Sequence, residues 1–93
     1  MKELEVFYLR SCPYCRNAQR AVAELREENP AYADIAIRWI EESEEPEIAG
    51  ARDYYSVPTI YYKGENLYEA HFTHSYAVIK ERFQKAFDRV LAD

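Results

Sequence analysis

Leu4-Glu5-Val6-Phe7-Tyr8-Leu9-Arg10-Ser11-Cys12-Pro13-Tyr14-Cys15 is the stretch on which the reading of this 93-residue chain turns. Its first half is a short β-rich run that becomes almost wholly apolar, which fits a buried strand. Its second half opens a helix, because Pro13 suits a first helical position, where a missing N–H removes no intrahelical bond. Behind it Ala18, Ala21, Val22 and Leu25 fall at i, i+3, i+4 and i+7, one apolar stripe. Asn29-Pro30 ends the helix, since proline disfavours helical geometry in the residue before it.

Beyond that unit, Ile35, Ile37 and Trp39 alternate with Ala36, Arg38 and Ile40, a second strand with Trp39 read as core. A short helix is expected to start between Ser43 and Pro46 and to carry Ile48, Ala49 and Ala51 toward Tyr54. Thr59 to Tyr62 reads as a third strand, Lys63-Gly64-Glu65-Asn66 as a turn, and Leu67 to Phe72 as a fourth strand. Thr73 is expected to cap a last helix in which Ile79, Phe83, Phe87, Val90 and Leu91 recur at helical spacing. The order βαβ–α–ββ–α predicts an α/β fold: a right-handed parallel crossover, then a hairpin. The result is a four-stranded mixed sheet flanked by three helices, a single domain over residues 1–93 with no repeats or linkers.

Composition narrows the function. Apolar residues make up 48% of the chain and aromatics 15%, which argues against disorder. The net charge of -5 argues against a nucleic-acid partner, which usually meets a basic face. The densest charge run, Glu41-Glu42-Ser43-Glu44-Glu45-Pro46-Glu47, reads as a solvated loop entering a helix. Met1-Lys2-Glu3-Leu4-Glu5 carries acids where a signal peptide needs an apolar run, and no segment approaches the ~20 apolar residues of a membrane span. The expectation is a cytoplasmic protein with reduced thiols and no membrane partner.

Only two cysteines are present, at Cys12 and Cys15. A bridge between them closes too small a loop to staple the fold, so they are there for chemistry. A C-x-x-C beside a βαβ pattern reads as a redox motif. With Cys12 at the cap, its sulfur faces free backbone N–H groups and the positive end of the helix dipole, and both favour thiolate over thiol. Cys12 is therefore the expected attacking sulfur. Cys15, one turn inside, is close enough to bridge and to resolve a mixed disulfide formed on Cys12. Pro13 sets the start of the helix and Tyr14 shields one side of the sulfur pair. The competing readings are half of a zinc site completed by His71 and His74, and two inert core cysteines. Pro-Tyr between the cysteines at a helix start favours exchange over both, so no metal is expected.

Cys12-Pro13-Tyr14-Cys15 after a strand and Ser56-Val57-Pro58-Thr59 before one resemble glutaredoxins of the thioredoxin superfamily, and the element order extends the likeness over nearly the whole chain. The resemblance implies the minimal thioredoxin (glutaredoxin-like) fold, with Cys12 as nucleophile and Cys15 as resolving thiol. It implies a cis Val57–Pro58 peptide, which sequence alone would favour at only ~5%. It also implies that the Val57 backbone pairs with the cysteine part of a substrate, beside Thr59. Glutathione is then the co-substrate, with no tightly bound cofactor, and the partner is a protein disulfide or a glutathione mixed disulfide.

Two positions depart from the family pattern. A basic residue three places before the first cysteine is replaced by Leu9, with Arg10 one place later, and the expected Gly-Gly after the hairpin reads Tyr68-Glu69. Arg10 and Arg16, with Arg20 beyond them, are the candidate anion-binding patch. The function expected is a monomeric dithiol oxidoreductase. The alternatives are recharging by a flavoprotein reductase instead of glutathione, and a non-catalytic binding or metal module. Tyr8, Tyr61 and Tyr62 read as packing residues, and the two histidines as structural.

Overall fold

The computed structural model describes residues 3–93, so Met1 and Lys2 of the acidic N-terminal run lie outside the described residues. Strand β1 (Glu3–Tyr8) leads into α1 (Pro13–Glu28) and a one-turn helix α2 (Pro30–Ala33). There follow β2 (Ala36–Glu41), α3 (Pro46–Gly50), β3 (Thr59–Tyr62), β4 (Glu65–Glu69) and α4 (Tyr76–Ala92). The sheet order is β2-β1-β3-β4. β1 runs parallel to β2, from Glu3 opposite Ala36 to Tyr8 opposite Glu41, and antiparallel to β3. The expected mixed four-stranded sheet is present.

Four details depart from the sequence reading. The extra helix α2 forms because Asn29 serves two helices: its N–H closes α1 on the Leu25 carbonyl, while its side chain accepts from Ala31 N–H. Proline at the first position of α2 then helps the chain to re-enter the helical region instead of ending it. The β3–β4 turn is only Lys63-Gly64, with φ of 51° and 82°, so β4 starts two residues early, at Glu65. Two consecutive positive φ values match the twist that a two-residue hairpin needs. Ser75, not Thr73, caps α4, its hydroxyl accepting from Val78 N–H. Trp39 is half-buried on the edge strand, edge-on to Tyr8 at 5.8 Å between centroids.

The two-residue alternation of β1 divides the core. Leu4 and Val6 join Ile60, Tyr62, Ala18, Leu25, Ile79, Phe83 and Phe87 under α1 and α4. Phe7 turns to the other face with Ile40 and Tyr61, where Ile48, Ala49, Tyr54 and Val57 cover it. On that face the Glu5 carboxylate takes both forks of Arg52, an ion pair largely out of water. β1 therefore delivers its C-terminal end, and the cysteines after it, between the two layers.

Candidate active site at the start of α1

Cys12 is the N-cap of α1, in extended geometry at φ -87° and ψ 120°. Its carbonyl accepts from Cys15 N–H and Arg16 N–H, and its own N–H donates to the Leu9 carbonyl at 3.1 Å. Pro13 follows at the first helical position. The local sequence thus leaves Cys12 in the half-helical cap position, with its side chain making no capping bond. Both cysteines are free thiols, Cys12 half-buried and Cys15 buried at 1% exposure.

The Cys12 sulfur lies 3.9 Å from the Val57 carbonyl oxygen, a long S–H···O contact across to the loop before β3. The Val57–Pro58 peptide is cis. That loop is braced from within, since the Glu69 carboxylate accepts from Tyr55 N–H at 2.9 Å and Ser56 N–H at 3.0 Å. The fully buried Thr59 donates its hydroxyl to the Ser56 carbonyl. Thr59 is therefore a loop-closing residue with its side chain turned inward, and what faces Cys12 is the Val57 backbone.

The Cys15 sulfur accepts from Leu9 N–H at 3.4 Å. Burial pushes its thiol up to about 12, and the adjacent Cys12 and the charge of Glu42 push the same way, against the Leu9 N–H. Glu42 is held by the Tyr54 hydroxyl at 2.5 Å. Cys15 thus rests as a thiol. Tyr14 does not simply cover the sulfurs: its hydroxyl donates to the Phe72 carbonyl at 2.7 Å, fastening the start of α1 to the β4–α4 loop.

The basic patch is divided. Arg10 is exposed, but its guanidinium pairs with Glu44, and its backbone N–H donates to Glu41. Arg20 lies over the Tyr76 ring at 4.3 Å and pairs with Glu24. Arg16 remains, exposed, on a cleft of about 290 Å³ that it shares with Tyr8, Leu9, Arg10, Cys15 and Gln19. The histidines lie on the β4–α4 loop. His74 Nδ1 lies 2.7 Å from the Tyr68 hydroxyl and accepts from His71 N–H at 3.2 Å. Among the described residues no group of three or more His, Cys, Asp or Glu converges.

Sequence reasoning missed Glu41. Placed in a solvated acidic run, it is instead 6% exposed, accepting from Arg10 N–H, Ser43 N–H and the Ser43 hydroxyl. These donors hold its carboxyl below the usual carboxylate range despite burial. No signal in the sequence marks it: its burial follows from the pairing of β2 with β1, which sets Glu41 opposite Tyr8.

Sheet order, helix placement and a dithiol facing a cis-proline loop define a thioredoxin-fold protein with a C-x-x-C site. Among solved structures the chain is similar to thioredoxin 1 of the thermophilic eubacterium Thermosipho africanus, with a TM-score of 0.60 at 17% identity over 94% of this chain and 96% of that one. A mutant thioredoxin from Halobacterium salinarum gives 0.58 at 24% identity, over 90% of this chain and 73% of that one. A structure described only as a malarial protein gives 0.63 at 15% identity, over 91% and 96% of the two chains. At these identities the likeness is one of fold. No family model matches the sequence, and no curated protein matches it. No helix among the described residues is long and apolar enough to cross a membrane.

Proposed function

We propose that this chain is a dithiol thiol–disulfide oxidoreductase that reduces protein disulfides or glutathione mixed disulfides. The observation that carries the reading is the pairing of a half-exposed Cys12 at a helix cap with a buried Cys15 one turn deeper. The Cys12 thiolate attacks one sulfur of the substrate disulfide, that bond breaks, and the leaving thiolate takes up a proton. Cys15 then gives up its proton and attacks the Cys12 sulfur. A Cys12–Cys15 disulfide forms and the second substrate thiol departs. The substrate gains two electrons and the protein loses them.

Two electrons must therefore return, from two glutathione molecules or from a flavoprotein reductase. Glutathione remains the first candidate, by resemblance of the Cys-Pro-Tyr-Cys motif. The second donor is favoured by Arg10, which spends its charge on Glu44, and by Glu69, which takes the loop N–H groups at Tyr55 and Ser56. Arg16 is then the cation left to draw an anionic substrate to Cys12.

Turnover of a mixed disulfide should be lost in Cys12→Ser, while Cys15→Ser should accumulate a mixed disulfide on Cys12 detectable by mass. Full reductase activity in Cys12→Ser would overturn the reading. Coupled assays with glutathione plus its reductase, and with a thioredoxin-type flavoprotein, identify the donor. Saturable glutathione turnover would exclude the flavoprotein version.

A further inference from the structure

The loop between β1 and the thiol pair has an unusual anchor. Leu9 and Arg10 share one peptide plane, whose N–H and C=O point in opposite directions. The Arg10 N–H of that plane donates to the Glu41 carboxylate at 3.1 Å. Its other end, the Leu9 carbonyl, accepts from Cys12 N–H at 3.1 Å. One peptide earlier, the Leu9 N–H donates to the Cys15 sulfur at 3.4 Å. Glu41 is thus two hydrogen bonds from the backbone of one cysteine, and adjoins the peptide that holds the other.

Glu41 is also well fixed for such a task. It is buried at the end of β2, and its second oxygen is taken by Ser43 N–H at 2.7 Å and the Ser43 hydroxyl at 2.6 Å. Tyr8 on β1 accepts from Glu42 N–H at 3.0 Å, tying the two strands together just beneath it. Donation to an ionised carboxylate is among the stronger hydrogen bonds, and it polarises the peptide so that the far carbonyl accepts more strongly. Rotation of this one plane would release Glu41 and Cys12 N–H together.

We propose that Glu41 is a positioning residue for the thiol pair: its carboxylate holds the Leu9–Arg10 peptide plane, and that plane holds Cys12 at the helix cap. The proposal rests on the oxidoreductase reading for its purpose, but its test needs no disulfide substrate.

The comparison is between Glu41→Gln, which removes the charge yet keeps an acceptor oxygen for Arg10 N–H, and Glu41→Ala, which removes both. Because both lose the same charge, a difference between them reports the polar contacts that the side chain makes with Arg10 N–H and Ser43, and not the charge. Two readouts apply: the alkylation rate of Cys12 by iodoacetamide in a Cys15→Ser background, and hydrogen exchange of the Cys12 amide. Glu41→Ala should alkylate about tenfold more slowly than Glu41→Gln, and its Cys12 amide should exchange at least about tenfold faster. The mutation does not touch the Cys12 N–H bond itself, so a purely structural role would lower the melting temperature and leave this amide no worse than its neighbours in α1. Equal alkylation and equal Cys12 protection in the two folded variants would overturn the proposal. If Glu41→Ala does not fold, Glu41→Leu takes its place: it keeps the bulk of the side chain and removes every acceptor, and wild-type values in both readouts would overturn the proposal equally. Should the wild-type protein fail to turn over disulfides, the functional reading falls while this comparison still stands.

Discussion

Cys15 shows how one atom's surroundings set its chemistry. Desolvation is the largest influence raising its pKa to about 12, and Glu42 adds to it. Removing that negative charge has a definite sign: in a Cys12→Ser background, Glu42→Gln should move the Cys15 titration to lower pH, read from thiolate absorbance. No movement, or movement upward, would show that Glu42 does not act on this sulfur. The same shift enters stability. A thiol whose folded pKa is raised contributes fully below the ordinary thiol range, ~8.5, and its contribution is lost as pH climbs from there toward about 12. Wild-type protein should therefore lose stability on that alkaline limb more steeply than Cys15→Ala.

Two loops make the site, and each is held by a carboxylate from a neighbouring strand. Glu41 of β2 serves the loop before Cys12, and Glu69 of β4 serves the loop before cis-Pro58. Glu69→Ala leaves Tyr55 N–H and Ser56 N–H without their acceptor, in a segment that is largely exposed. The loss should cost about 1 kcal/mol of stability, because water can replace the bond at an exposed site. The larger effect belongs to order: exchange of the Tyr55 and Ser56 amides should accelerate while α1 amides stay protected. Unchanged exchange at both positions would show that the loop is held by Thr59 and the proline alone.

The whole molecule rests on β1, which runs between β2 and β3 and has apolar neighbours on both faces. On the inner face of α4, Phe83 is completely buried, in edge-to-face contact with Phe87 at 6.4 Å between centroids. Phe83→Ala should destabilise by roughly 3–5 kcal/mol, the usual loss for a buried phenylalanine. Against a total of roughly 5–15 kcal/mol for a small domain, the denaturant midpoint should fall steeply. A midpoint within experimental error of wild type would mean that α4 is not part of the cooperative core.

The sequence by itself determined what depends on neighbours along the chain. The alternation of β2, the α1 stripe of Ala18, Ala21, Val22 and Leu25, and Pro13 after Cys12 each obey a local period or a local steric rule. Those rules were enough to place the thiols at a strand–helix junction and to order the elements. Boundaries were less legible where two local signals competed. Pro30 both ends one helix and opens another, Lys63 accepts a positive φ, and Ser75 outcompetes Thr73 as the cap. Only the tertiary structure decided which charges are spent and which are free. Glu41 looks like any acid in an acidic run until β2 pairs with β1 and brings Arg10 N–H to its oxygen. Arg10 looks like a substrate-binding cation until the same pairing brings it to Glu44. Glu69 and Tyr55 lie 14 residues apart. Hydrogen bonds and ion pairs between distant segments have no period for a sequence to display, and they set the surroundings in which these two cysteines act.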